Sequence, residues 1–430
     1  MSAEAGSAQL VRPIGFRPRE ISSLFNTAVI EQHASAAAFL WLKRDGAVRS
    51  PHYKLKHLAA LDERVSAHLQ GLRVAGEMGW RAVLATLAKA NPGSVFVASY
   101  LAFASGDIPK MRHALHLGLS QDSFRRALEG GLVWAELVEV RPGLESLQRS
   151  ANPEHQALAL GVLAAHDVDC GDFLGRALKS TDPVLRVRAL EVVGRSRRRD
   201  LSDAVRSQLG DVDPSCQFWA AWALALVGHS EGTALAFELG THNYETRTYA
   251  IDVAMRLGDP EWARQHIRSL ASRAETLRIA IQAAGALGDP AVVPWLLRQM
   301  LDPRTARVAA EAVSTITGAD LHFLGLKQDP AEPAPESDAA PEEEVEDQDL
   351  PWPNPGRLTQ WWQEQQSQYV AGQRYLAGHR ISAEGSLEVL RQGYQRQRRA
   401  SAIELVASSD TAPLFSVVDR ADRQQRRLAA

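Results

Sequence analysis

Apolar positions between residues 151 and 318 follow a pattern that returns every 29 to 31 residues. Small or apolar residues lie three and four positions after one recurring alanine, which is the spacing of one face of an α-helix. A helical pattern that repeats at this period predicts a solenoid, in which each unit buries its apolar face against its neighbours. The recurring residues are Ala159, Ala189, Ala220, Ala250, Ala280 and Ala309.

Most units of this array open with a helix-start signal. An Asn or Asp at the N-cap accepts hydrogen bonds from free backbone N–H groups, and proline is tolerated at the first helical position. Glycines are expected to end the first helix of three units as left-handed C-caps, at Gly228, Gly258 and Gly288. A second apolar helical pattern follows, so each unit is predicted to be two antiparallel helices. The start signals are Asn152-Pro153, Asp182-Pro183, Asp213-Pro214 and Asp302-Pro303, whereas Asn243-Tyr244 and Ala274-Glu275 depart from the pattern.

The chain before the array is also predicted to be helical. Residues 1–22 look irregular, and residues 23–150 contain helical patterns typical of diverged repeats. The stretch SVFVASY at 94–100 is ambiguous, because its composition also suits a strand. The clearest helix carries one apolar stripe with spacings of 3, 4, 4 and 3, formed by Leu58, Leu61, Val65, Leu69 and Leu72.

Composition changes sharply after the array. Residues 329–349 contain ten acidic residues and no Lys or Arg, interleaved with proline and alanine. Such a segment buries too little apolar surface to offset its ordering entropy, so residues 319–355 are predicted to form a disordered acidic linker. Residues 356–430 regain a helical pattern and end in a basic tail.

Two family resemblances follow from these residues. The unit DPVLRVRALEVVG at 182–194 and the stretch TLRIAIQAAGALGDP at 276–290 resemble HEAT repeats of the short bacterial kind found in phycobilin lyases. This resemblance implies an all-α fold, an α-solenoid of antiparallel helix pairs. The stretches at 38–53, 61–80 and 361–378 are similar to a family of proteobacterial HEAT-repeat proteins of unassigned activity. Some members of that family are encoded near type VI secretion genes, which implies a context and no chemistry.

Charge and cysteine content indicate the cellular compartment of the protein and the partners that it does not attract. The formal net charge of −3 provides no overall attraction for nucleic acid or for an anionic membrane. The two cysteines, Cys170 and Cys216, form no disulfide scaffold, and the first residues do not have the pattern of a signal peptide. The longest apolar run is far shorter than the roughly 20 residues that cross a bilayer. We therefore expect a cytoplasmic protein without membrane insertion.

Candidate chemistry is sparse. His113 and His116 would share a helix face, but two ligands do not make a metal site. No nucleophile elbow, phosphate-binding loop or dinucleotide motif appears, so no catalytic residue, metal or cofactor is predicted. Four arginines recur 17 or 18 residues after the recurring alanine, on the predicted second helices, where HEAT solenoids have their concave face. They either bind acidic side chains or phosphates bidentately, or form a solvated face with local ion pairs. These residues are Arg176, Arg206, Arg268 and Arg298.

Aromatic residues near the C-terminus form a second candidate surface. Trp361 and Trp362, with Trp352, either anchor a partner or pack the C-terminal helix onto the array. The leading hypothesis is a non-catalytic scaffold that binds another protein, through the arginines and an acidic segment. One acidic segment that the arginines are hypothesised to hold is the chain's own residues 329–349. The alternatives are a bilin-lyase-like enzyme that modifies a small molecule, and a nucleic-acid-binding protein with an arginine-lined concave face.

Overall fold

A computed structural model describes residues 26–329, 347–409 and 412–429, and most of them are helical. The all-α class is therefore confirmed, apart from one two-residue β-hairpin. The predicted irregular segment 1–22 and most of the acidic stretch lie outside the described residues. None of the helices that are described is both long enough and apolar enough to cross a membrane.

Seven helices lie within residues 26–150, the described part of the N-terminal region. The ambiguous stretch at 94–100 is helical, because Asn91 caps the helix and Pro92 starts it. Almost every residue of that helix is buried, so the helix has no polar face. Its amino-acid composition is therefore the same as that expected of a buried strand. Trp41 of the first helix stacks on Phe96 with ring centroids 4.8 Å apart. The seven helices are α1 (Thr27–Ala47), α2 (Leu55–Val74), α3 (Glu77–Leu87), α4 (Pro92–Ser105), α5 (Ile108–Gly118), α6 (Asp122–Trp134) and α7 (Leu137–Gln148).

Residues 153–317 form long first helices that alternate with second helices, most of them shorter. Each first helix contacts the next first helix in the chain. The six recurring alanines are fully buried at these contacts, each 0% exposed. The first helices are α8 (Pro153–Ala165), α10 (Pro183–Ser196), α12 (Pro214–Val227), α14 (Tyr244–Leu257), α16 (Leu277–Leu287) and α18 (Pro303–Thr317). The second helices are α9 (Gly171–Ala177), α11 (Ser202–Arg206), α13 (Ser230–Gly240), α15 (Pro260–Ala271) and α17 (Val293–Gln299).

The helix ends follow the predicted cap chemistry with one exception. Asn152, Asp182, Asp213 and Asp302 each accept a backbone N–H at the start of a first helix. Gly228, Gly288 and Gly318 have positive φ and end their helices as left-handed caps. Gly258 is different, since its backbone is extended with φ −79° and ψ 176°. A glycine is needed there for space, because a Cβ at this position would lie 2.3 Å from the carbonyl oxygen of Ala254.

Short 3₁₀ turns account for irregular starts and ends of several helices. The unit without an Asp-Pro start, at 274, begins with one of these turns before α16, and Asn243 still caps α14. The 3₁₀ turns are Arg199–Leu201, Ser207–Gly210, Ala274–Thr276, Pro290–Val292 and Gln366–Gln368.

The C-terminal part runs back along the molecule from the end of the array to the N-terminal region. The Tyr375 N–H donates to the carbonyl of Gly288 near one end, and Arg423 donates to the carbonyls of Val133 and Ala135 at the other. Ala377, with φ 49°, precedes a glycine in the tight turn of the hairpin. The elements are α19 (Pro355–Gln365), β1 (Tyr375–Leu376), β2 (His379–Arg380), α20 (Ala383–Gln392), α21 (Gln395–Ala407) and α22 (Ala421–Ala429).

Candidate functional site

The four predicted partner-binding arginines occupy equivalent places in the structure. Arg176, Arg206, Arg268 and Arg298 are exposed, and each lies in the last turn of a second helix. A cation is favourable at that end of a helix, because the unpaired carbonyls carry partial negative charge. The helix dipole therefore favours a cation at each of these four positions.

These arginines differ in their local ion pairs. Arg206 contacts Asp203 and Glu231, both at 2.8 Å, and this exposed network raises the pKa of its guanidinium. The guanidinium of Arg268 lies 3.9 Å from Glu261. Among the described residues, no carboxylate lies within ion-pair distance of Arg176 or Arg298. Surface pairs of this kind contribute little to stability, so the guanidiniums remain accessible to an anionic partner.

The predicted tryptophan anchors separate into a buried and a partly exposed residue. Trp362 is 7% exposed and packs in the core at the end of the array, with its ring 5.4 Å from that of Tyr369. Trp361 is half-buried against the same core. Trp362 therefore holds α19 on the array, whereas Trp361 and Trp352 each present part of their surface to solvent.

A second arginine site holds the end of the acidic stretch. The guanidinium of Arg278 grips the carboxylate of Asp347 with two hydrogen bonds, of 2.9 and 2.7 Å. Both side chains are only about a tenth exposed, at 11% and 13%. Two parallel N–H···O bonds of this kind are the strongest form of arginine–carboxylate contact.

Arg307 continues this site on the next first helix. Its Nε donates to the carbonyl of Leu350 at 3.0 Å, and its guanidinium lies 5.3 Å above the ring of Trp352. The Leu350 side chain is 4% exposed. Burial lowers the pKa of Arg307, an effect that the nearby carboxylates of Asp347 and Asp349 oppose.

Backbone pairing completes the attachment of residues 347–354. The Gln328 N–H donates to the carbonyl of Trp352 at 3.0 Å, and the Asn354 N–H donates to the carbonyl of Leu326 at 2.8 Å. The segment was predicted to be disordered as far as 355, but its last residues are ordered against the array. The reason is local, since Leu350 and Trp352 supply the apolar surface that the acidic stretch lacks.

Arg278 and Arg307 lie on first helices, outside the periodic arginine pattern of the second helices that the sequence shows. A signal was present, since each of the two arginines lies two residues before the recurring alanine of its unit. The corresponding positions in the three preceding units are Val187, Phe218 and Thr248. The last two units therefore carry a charge where their neighbours do not, immediately before the acidic stretch.

A buried ion cluster fastens α21 to α14. Arg256 contacts Asp252 at 3.0 Å and Glu404 at 3.2 Å, and Arg374 contacts Glu404 at 2.6 Å. The side chains of Arg256 and Glu404 are 3% and 1% exposed. Burial raises the pKa of Glu404 and lowers that of Arg374, while their mutual attraction opposes both shifts. This cluster is positioned to hold elements together and is closed to a ligand.

A cavity of about 40 Å³ lies where α18 and α21 meet the loop after α1. Tyr394 donates to Asp320 there at 2.5 Å, and burial followed by this contact raises the pKa of Tyr394 to about 12. The space suits about three water molecules and is far smaller than the roughly 300 Å³ of a typical ligand pocket. Across the described ranges, no three His, Cys, Asp or Glu side chains are arranged to hold a metal ion. The imidazole of His113 packs edge-on against the ring of Trp80, with the ring centroids 6.3 Å apart.

Comparisons with known proteins do not assign this chain to a family: no protein-family model matches it, and no curated protein matches its sequence. The HEAT-repeat resemblance therefore depends on the sequence motifs themselves.

Proposed function

We propose that this chain is a non-catalytic scaffold that binds another protein, built as an α-solenoid of HEAT-type helix pairs. The observation that carries the proposal is the recurrence of one arrangement along the array. Buried alanines bring successive first helices into contact, and four of the five second helices carry an exposed arginine in their last turn. Repeated units of this kind suit an extended partner, because each unit offers an equivalent contact.

The chemistry of the second-helix arginines defines the class of partner. A guanidinium binds a carboxylate in a planar, bidentate geometry, and a row of them suits an acidic protein segment. Arg176 and Arg298 lack a nearby carboxylate among the described residues, so their pairing capacity is available. We propose a partner with an acidic surface, in the type VI secretion context that the sequence resemblance implies.

Charge reversal tests this surface. The full-length tagged chain is used to capture partners from its native cells, and recovered proteins are quantified by mass spectrometry. The double variant Arg206→Glu/Arg268→Glu is expected to reduce recovery of a specific partner by at least about tenfold, since attraction becomes repulsion. Arg112→Glu is the matched control, because Arg112 is also exposed on a helix but lies outside the array.

The control variant must recover the same partner as the wild-type chain. Equal recovery by the double variant, or no specific partner with any variant, would contradict the proposed binding surface.

A further inference from the structure

The site formed by Arg278 and Arg307 has the properties of a peptide-binding site that already contains a peptide. We propose that it recognises an acidic protein segment of the form Asp-x-x-Leu-Pro-Trp, and that the chain's own residues 347–352 occupy it in place of a partner. This inference deepens the scaffold function and rests on it, but it uses a different surface from the second-helix arginines.

The first element of recognition is a carboxylate at the start of the segment. Arg278 holds both oxygens of Asp347, and the pair is largely shielded from water. The geometry selects a carboxylate at this position, because a neutral amide cannot accept on both atoms. Asp349 is exposed and its carboxylate makes no comparable contact among the described residues, so the second acidic position is not read in this way.

The second element is the apolar and backbone pattern that follows. Leu350 is buried. Arg307 donates a hydrogen bond to the carbonyl of Leu350, and its guanidinium stacks on the ring face of Trp352. Pro351 favours extended backbone at Leu350 and restricts its own φ, so the segment is partly ordered before it binds. Such pre-organisation lowers the entropy cost of binding and makes the Leu-Pro-Trp order specific.

The segment is attached in a manner that an independent peptide can reproduce. The backbone of residues 352–354 pairs with residues 326–328 through two hydrogen bonds and one isolated antiparallel bridge between Lys327 and Pro353, and residues 347–350 before it form a turn. Strand addition with side-chain pockets is a general mode of peptide recognition and does not require a covalent link. Leu350 is 4% exposed, so a partner segment must supply an apolar side chain at the same position.

The test supplies the segment in trans to the full-length chain. The probe is a fluorescein-labelled peptide DQDLPWPN, the sequence of residues 347–354, and binding is measured by fluorescence anisotropy. A tethered segment competes at an effective concentration of roughly millimolar, so the wild-type chain should bind the probe poorly. The variant Asp347→Asn/Leu350→Ala/Trp352→Ala empties the site and should bind it at least about tenfold more tightly than the wild type.

Matched peptides separate specific recognition from general charge attraction. A peptide with Asp347→Asn should bind the emptied variant at least about tenfold more weakly, whereas one with Asp349→Asn should bind within about twofold of the parent. Adding Arg278→Glu to the emptied variant should abolish binding. Equal affinity for both substituted peptides would overturn the proposed reading of the carboxylate.

Circular dichroism and thermal melting establish that the emptied variant is folded. If it is not, the single variant Asp347→Asn replaces it, and its weakened tethered segment should let the probe bind more tightly than it binds the wild-type chain. A folded variant that does not bind the probe at about 1 mM, the scale of the tethered segment, would overturn the site. Loss of the partner in the Arg206→Glu/Arg268→Glu capture would then still support the scaffold, so the two proposals fail separately.

Discussion

Small side chains at the crossing points of the first helices set how closely those helices approach. Ala189, Ala220 and Ala250 are each 0% exposed. The neighbouring glycines are under the same constraint, since a Cβ on Gly194 would lie 2.7 Å from Trp222, and one on Gly285 would lie 2.9 Å from Ala312. Packing at this density leaves no room for a larger residue without displacement of a helix.

Enlarging one of these alanines should therefore destabilise the array. Ala220→Phe is expected to lower the free energy of unfolding by about 1–3 kcal/mol, because the ring must displace neighbouring helices. Urea denaturation followed by circular dichroism measures the change. Ala85→Phe is the control, since Ala85 is exposed on α3, and its unfolding midpoint should stay close to that of the wild type. An unchanged midpoint for Ala220→Phe would mean that the contact between the first helices adapts to the larger residue.

At the scale of elements, the attachment of α21 combines charge with apolar packing. Glu404 lies between the guanidiniums of Arg256 and Arg374, and Arg374 also donates to the carbonyl of Leu287 at 2.8 Å. Each partner is costly to bury alone, so the cluster is stable only when it is complete. The helix is therefore fixed in one position relative to α14 and α16.

Removal of the central carboxylate tests this interdependence. Glu404→Gln leaves two buried guanidiniums without their shared partner and should cost about 3–5 kcal/mol of unfolding free energy. Hydrogen exchange should become faster in α21 before it changes in α12. Glu384→Gln, on the exposed first turn of α20, serves as the control and should alter neither measurement. A loss no larger than that of the control would show that the cluster is not required to hold the helix.

The elements differ in how far their sequence predicts them. Asp182 and Pro183 start a helix through local chemistry, so the start of α10 follows from adjacent residues alone. Gly258 and Gly288 both precede Asp-Pro, yet the backbone of Gly258 is extended and that of Gly288 is left-handed, so the adjacent residues alone do not predict this difference. Arg278 is recognisable only when units are aligned, since its partner lies 69 residues later in the chain.

At the scale of the whole molecule, the C-terminal residues join parts that are distant in the chain. Arg44 donates to the carbonyls of Val418 and Asp419, both at 2.7 Å, and Asp62 accepts from the N–H of Ala421 at 2.7 Å. No periodic pattern predicts these contacts, because they pair side chains with backbone atoms more than 350 residues away. The sequence indicated helices and a basic tail here, and the arginines of that tail are used largely for internal contacts.

Asp62 is the residue through which this long-range connection is best tested. Its carboxylate joins Arg44 at 3.0 Å to the start of α22, and it is 6% exposed. Asp62→Ala should cost about 3–5 kcal/mol, because the buried guanidinium of Arg44 loses its carboxylate. Hydrogen exchange should then accelerate in residues 412–429 and in α1 together, since both lose the same partner. The neighbouring Glu63→Ala removes an exposed carboxylate from the same helix and should leave exchange unchanged. Faster exchange in α1 alone would show that the C-terminal residues are held by their other contacts, such as those of Arg423 with the carbonyls after α6.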